Sequence, residues 1–220
     1  MSRPVTIQWP VASTTAVAIS QPLAGAGALI INGTLASAGV ATFPNIERIV
    51  TLTSAGNDSG VQFTITGTLQ GNVVSETRAG PNANTVSTTQ KFTTVTSVTV
   101  NGALVANASV GTGLTGSTIW IGSDYQRTNN ALAVLVLVTP ALTYSFDTTF
   151  DDPAFVADPN EFTPIEGVTV PTIPTTTPMI NAVVSILANY TIPTHSSRIR
   201  ISASDATGAA TIYFLQQGIK

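Results

Sequence analysis

Few residues of this chain have the type and spacing that chemistry requires. The single histidine is His195, in Thr194-His195-Ser196. A histidine acting as general base needs a carboxylate to orient it and a nucleophile within reach. Asp205 is the next carboxylate along the chain, and no strained nucleophile turn accompanies it. His195 therefore reads as a loop residue, and no residue is assigned to catalysis.

The densest acidic cluster is Asp147, Asp151 and Asp152, with Asp158 and Glu161 beyond. Calcium takes roughly six to eight oxygen ligands, often from one loop. This spacing lacks the glycine that an EF-hand turn needs, and Asp152-Pro153 and Asp158-Pro159 read as turn starters. No metal site is assigned. Asn57-Asp58, within Ala55–Gly60, is also turn chemistry. Paired carboxylates of the glycosidase kind need a cleft. An aromatic platform for sugar is hard to build from two Trp and four Tyr, of which Trp120, Tyr125 and Tyr190 are the candidates. Gly25, Gly27 and Gly33 follow no strand-to-helix pattern, so no phosphate loop or dinucleotide fingerprint is present and no cofactor is expected. Asn32, Asn107 and Asn189 fit the glycosylation acceptor pattern, which chance supplies readily in a chain so rich in Asn, Ser and Thr.

Composition narrows the classes further. Charged residues make up 9% and the hydrophobic fraction is 43%. Disorder pairs low hydrophobicity with high net charge, the opposite of this chain. With eight Lys plus Arg and a net charge of −3, there is no basic footprint to neutralise phosphates, so nucleic acid is not an expected partner. A Thr-rich surface with so little charge suits a component of an assembly. There is no cysteine, which excludes disulfides and thiolate chemistry. The opening MSRPVTIQWPVAS has no apolar core behind a basic segment and does not read as a secretory leader. The longest apolar run, Ala131–Val138, is far short of the about 20 residues a membrane helix needs. It predicts a strand buried on both faces, and no membrane partner is expected.

The elements that must carry these residues are strands. Val61, Phe63 and Ile65 alternate with Gln62, Thr64 and Thr66, a period of two that puts the apolar side chains on one face. Gln70-Gly71-Asn72 is a turn, Val73–Arg78 runs back with Glu76 and Arg78 on one side, and Phe92–Val100 begins the next strand. Val5–Trp9, Ala16–Ile19, Leu29–Ile31, Leu35–Ala41 and Arg48–Thr53 are further strands, with a hairpin turn at Asn32-Gly33. So are Ile119–Ile121, Leu142–Phe146, Ile180–Leu187, Ser197–Ala203 and Ala210–Leu215. No segment has a helical period. Phe43-x-x-Ile46-x-x-Ile49 is echoed by Phe92-x-x-Val95-x-x-Val98, which would fit either a duplication or the general grammar of hairpins.

Gly111–Thr118, with its three glycines, reads as a flexible joint. It divides the chain into residues 1–116 and 117–220. The fold class expected is all-β: two antiparallel β-sandwich domains of jelly-roll or immunoglobulin-like topology. Residues 151–178 hold six prolines and little periodicity, so a long irregular loop is expected there, docked on a partner.

Several phrases resemble a recurring kind of small, β-rich virion structural protein of tailed bacteriophages. They include Ala24–Gly33, Val50–Gly60, Phe63–Gly67, Ser75–Thr77, Gly80–Asn82, Phe92–Val100, Tyr144–Asp152 and Thr211–Gln216. The resemblance covers most of residues 13–153 and the last thirty or so, and departs over the proline-rich segment. It implies a non-enzymatic virion component, foremost a capsid decoration or cement protein. Its implied partners are the major capsid protein, other virion subunits and further copies of itself. A tail, neck or fibre-attachment role is the alternative, and a carbohydrate-binding sandwich the alternative of another class. The resemblance brings no catalytic residues.

Overall fold

The computed structural model describes residues 5–122, 132–139, 141–149, 182–190, 196–203 and 205–216. All regular structure among them is strand, paired antiparallel. In chain order the strands are β1 (Val5–Trp9), β2 (Ala18–Gln21), β3 (Gly27–Ala28), β4 (Ala36–Ser37), β5 (Val40–Thr42) and β6 (Ile46–Ser54). Next come β7 (Gln62–Leu69), β8 (Asn72–Ala79), β9 (Thr85–Phe92), β10 (Thr94–Val100) and β11 (Ala108–Thr118). The last are β12 (Ile121–Gly122), β13 (Leu132–Val138), β14 (Leu142–Thr149), β15 (Ile186–Tyr190), β16 (Ser196–Ala203) and β17 (Ala210–Gln216).

The chain forms two units, one of residues 12–116 and one of residues 1–11 with 117–220. The division falls inside β11. In the first unit, one sheet has the order β4-β5-β10-β7-β8, with β3 also on β10. In the other, β11 lies beside β6, β6 pairs with β9, and β2 pairs with β11. The alternation read for β7 holds: Phe63, Ile65 and Leu69 are buried, with Thr64, Thr66 and Thr68 on the opposite face. Val95 and Val98 on β10 and Val50 and Leu52 on β6 are buried as well, each contributing roughly 1.5–3 kcal/mol by burial.

Where side chains replace backbone partners, the sequence pattern misleads. Leu29–Ile31 is not a strand. Instead the Gln21 carboxamide pairs with Ile30 as a neighbouring strand would, accepting from its N–H at 2.9 Å and donating to its carbonyl at 3.0 Å. Asn32 is likewise engaged, its side-chain oxygen accepting from the Ile19 N–H at 3.1 Å. The hairpin reversal expected at Asn32-Gly33 lies further on, between β4 and β5, where Ala38 and Gly39 have φ of 50° and 79°. At the β7–β8 turn the left-handed residues are Gln70 and Gly71, and Asn72 already pairs with Leu69.

The run Gly60–Gly102 contains one strand more than its pattern predicts. β9, Thr85–Phe92, is polar and bulged: between Ile49↔Lys91 and Thr51↔Ser87 it carries extra residues. The Thr88 hydroxyl accepts from the Val50 N–H at 2.9 Å in place of a backbone partner. The Glu76 carboxylate on β8 accepts from the bulge N–H groups of Thr89 and Gln90, at 2.9 and 2.6 Å. Phe92 therefore ends β9 instead of opening the next strand. The Phe43/Phe92 echo also has a structural meaning. Phe43 sits where the chain passes from the β5 sheet to the β6 sheet, and Phe92 where it passes back from β9 to β10. The two crossings run in opposite senses and are tied by Phe43 N–H to Thr93 O at 2.8 Å, forming a paired corner.

The glycines of 111–118 do not form a flexible joint. They lie in β11, the longest described strand, and at Gly111 and Gly113 side chains do not fit. A Cβ on Gly111 would come within 2.0 Å of the Ser13 carbonyl oxygen, and one on Gly113 within 2.3 Å of the Ile49 side chain. The Gly113 carbonyl in turn accepts from Arg48 Nε at 2.7 Å. Arg48 is buried, and that desolvation pushes its pKa down to about 10.

In the second unit, the sheet order is β1-β17-β13-β15, and β16 pairs with both β12 and β14. β1, expected to open the amino-terminal domain, belongs here: Val5 to Trp9 register against Phe214 to Ala210. The run expected to be buried on both faces is buried on one. Leu132, Val134 and Val136 are core, but Leu137 on the other face is exposed. Of Ile119–Ile121 only Ile121 is strand. Leu142, Tyr144, Phe146, Ile199 and Ile201 are buried on the inner face of β14 and β16. The Tyr144 hydroxyl donates to the Val184 carbonyl at 2.8 Å, and burial raises its pKa well above the usual phenol value.

Candidate functional site

Among the described residues of the second unit, Asp147, Arg198 and Arg200 gather on one face of the β14–β16 pair. Arg198-Ile199-Arg200-Ile201 alternates, so both arginines project from the same face of β16. Asp147 on β14 stands directly opposite Arg198. Its carboxylate is 0% exposed, 3.2 Å from Arg198 Nε and 3.4 Å from Arg200 Nη2. The Arg198 guanidinium lies over the Trp120 ring, 4.5 Å from its centroid. Trp120 itself is 8% exposed.

In this arrangement Asp147 is engaged by two guanidinium groups, and Trp120 is buried with Arg198 over its ring. Among the described residues, no group of three or more His, Cys, Asp or Glu could hold a metal ion. His195, Tyr125, Asp151, Asp152, Asp158, Glu161 and the proline-rich segment 151–178 lie outside the described residues. Tyr190 is placed only by its backbone, opposite Leu132 on β13. Asp58 is structural: its buried carboxylate accepts from the Ser54 hydroxyl at 2.5 Å and the Val105 N–H at 2.6 Å, holding the 54–60 turn to the 104–106 loop.

What the fold does present are two uncharged sheet faces. On the first unit, the outer face of β7, β8 and β10 is covered by hydroxyls. Thr64 bonds Thr77 at 2.9 Å, Thr66 bonds Ser75 at 3.2 Å, and Thr68 bonds Thr94 at 2.7 Å. On the second unit, the outer face of the four-stranded sheet carries leucines on β13, β15 and β17, with Thr6, Gln8, Thr211 and Tyr213 beside them toward β1. Leu137, Leu187 and Leu215 are 43%, 50% and 45% exposed, and the register sets Leu135 between Tyr213 and Leu187 on that same face. Neither face was named from the sequence. The alternation of each strand was visible there, but which strands lie side by side was not.

Comparison with known proteins finds no matching family model and no curated relative.

Proposed function

We propose that this chain is a non-enzymatic structural protein of a tailed-phage particle, a capsid decoration or cement subunit, with each unit a β-sandwich. The observation that carries this reading is the leucine patch on the outer face of the four-stranded sheet. Leu137, Leu187 and Leu215 stand exposed on it, and no charged residue shares the register positions around them. A monomer in solution seldom leaves such a face open, whereas a subunit covered by a neighbour requires one. Cementing then works by addition: each copy gains a modest free energy at a particle contact, and symmetric repetition multiplies it.

The test is incorporation into particles. Virions of the encoding phage are purified, and the stoichiometry of this chain to the major capsid protein is measured on quantitative gels. A decoration role gives a ratio set by the capsid lattice, and Leu137→Lys or Leu187→Lys lowers it several-fold without unfolding the chain. Copy number set by a tail ring, or incorporation indifferent to both substitutions, overturns the reading.

A further inference from the structure

We propose that β1 is an exchangeable strand, which in crowded or assembled protein completes the four-stranded sheet of a second copy of this chain. The inference rests on connectivity and register, and stands independently of the virion reading.

Among the described residues, β1 is an edge strand, paired with β17 alone. Its five residues pair in unbroken register, from Val5↔Phe214 to Trp9↔Ala210. Ile7 and Trp9 are buried in that unit, so the docking is strong and side-chain specific. Yet β1 is joined to β17 only through the whole of the other unit, residues 12–116. The connection is short: Pro10 follows directly, and by Ser13 the chain is fixed again, its carbonyl accepting from the Thr112 N–H at 2.8 Å. A strand docked in one unit and covalently anchored in another is the element that exchanges between identical copies, because the exchanged form makes the same contacts as the closed one. Only the local concentration of a copy's own strand favours the closed form, so crowding shifts the balance. In an assembly each exchanged strand would tie neighbouring copies together by a buried tryptophan and a run of backbone hydrogen bonds.

The absence of cysteine makes the test clean. Gln8 and Thr211 are directly paired on the outer face, their side chains 2.9 Å apart, and strand neighbours at such positions meet disulfide geometry. Gln8→Cys and Thr211→Cys are placed in separate full-length chains with tags of different length. The chains are unfolded in urea, refolded together at about 1 mM, near the effective concentration of a tethered strand, and oxidised. Exchange yields a mixed disulfide dimer of one chain of each kind, several-fold in excess of like-with-like dimers. No linked dimer, or a statistical mixture, overturns the proposal. The double variant, in one chain and refolded dilute, should close an internal disulfide. If it closes none, β1 does not pair with β17 in solution and the proposal falls as well.

Discussion

Asp147→Asn is the substitution that best tests the ionic cluster. The carboxylate is wholly buried and meets Arg198 and Arg200 from the adjacent strand. Neutralising it leaves two guanidinium groups with an amide between them. Removing one partner of a buried pair costs about 3–5 kcal/mol. Arg200 is 37% exposed at its side chain, so water screens part of the loss. That places the expected cost near the lower bound, about 3 kcal/mol. At a urea slope of roughly 1–3 kcal/mol per molar, the midpoint should fall by about 1–3 M. Tryptophan fluorescence is the proper probe, since Trp9 and Trp120 both lie in the unit that holds Asp147, and Trp120 stacks on Arg198. Arg200→Met removes the more exposed partner and should cost no more than about 1 kcal/mol. If Asp147→Asn moves the midpoint by less than the equivalent of about 0.5 kcal/mol, or if Arg200→Met costs as much as Asp147→Asn, the cluster does not hold these strands as described.

Two further perturbations probe other parts of the fold. Asp58→Ala strands the Ser54 hydroxyl and the Val105 N–H, and at about 1–3 kcal/mol for each lost charge-assisted bond it should lower stability by about 3 kcal/mol in far-UV circular dichroism melts; Asp58→Asn, which keeps an acceptor for Val105, should lose less. Asp205 has its pKa lowered by the Thr207 hydroxyl and then by the Thr207 N–H. Its contribution to stability is therefore present above the ordinary carboxylate pKa and lost as pH falls through the lowered one. In Thr207→Ala, a carbon-detected NMR titration should show Asp205 titrating at higher pH than in the unaltered protein, and an unchanged titration would refute the hydroxyl's role.

The strands were legible wherever hydrophobic alternation was strong, as in β7, β16 and β17, or where an apolar run was long, as in β13. They were not legible where polar side chains do the work of backbone. β9 has no alternation to read, because Thr88 and Glu76 satisfy its bulge. The extended run at Ile30 has strand composition, but Gln21 supplies its partner. The glycines of β11 look like a hinge in one dimension. Only the Ser13 carbonyl and the Ile49 side chain, far off in sequence, explain why side chains are excluded there. The candidate site divides along the same line. Arg198 and Arg200 can be placed on one face from the sequence, but the strand that brings Asp147 opposite them cannot. Of the cluster read as a carboxylate group, Asp147 is paired with arginines, while Asp151 and Asp152 lie outside the described residues.

Charge placement links this architecture to the assembly reading. The chain has 19 Asp, Glu, Lys and Arg residues in 220. Glu47, Arg48, Asp58 and Asp147 are all buried, engaged with Gln70, the Gly113 carbonyl, Ser54 and the two arginines respectively. The surface that remains is thus poorer in charge than the composition alone suggests. Long-range repulsion between copies scales with surface charge, and at −3 there is little of it. Among the described residues, two exposed sheet faces, one of threonine hydroxyls and one bearing a leucine patch, contain no charge that would have to be desolvated when covered. A fold that uses its few ions to pin loops and strand pairs, and leaves its faces neutral, loses solubility as a free monomer and gains contacts that cost little to bury. If that reasoning holds, Thr66→Lys on the hydroxyl face should leave the folded unit intact, because the site is at the surface, yet raise the concentration at which the protein self-associates in sedimentation velocity. Association unchanged by the added charge would mean that this face is not among those that meet.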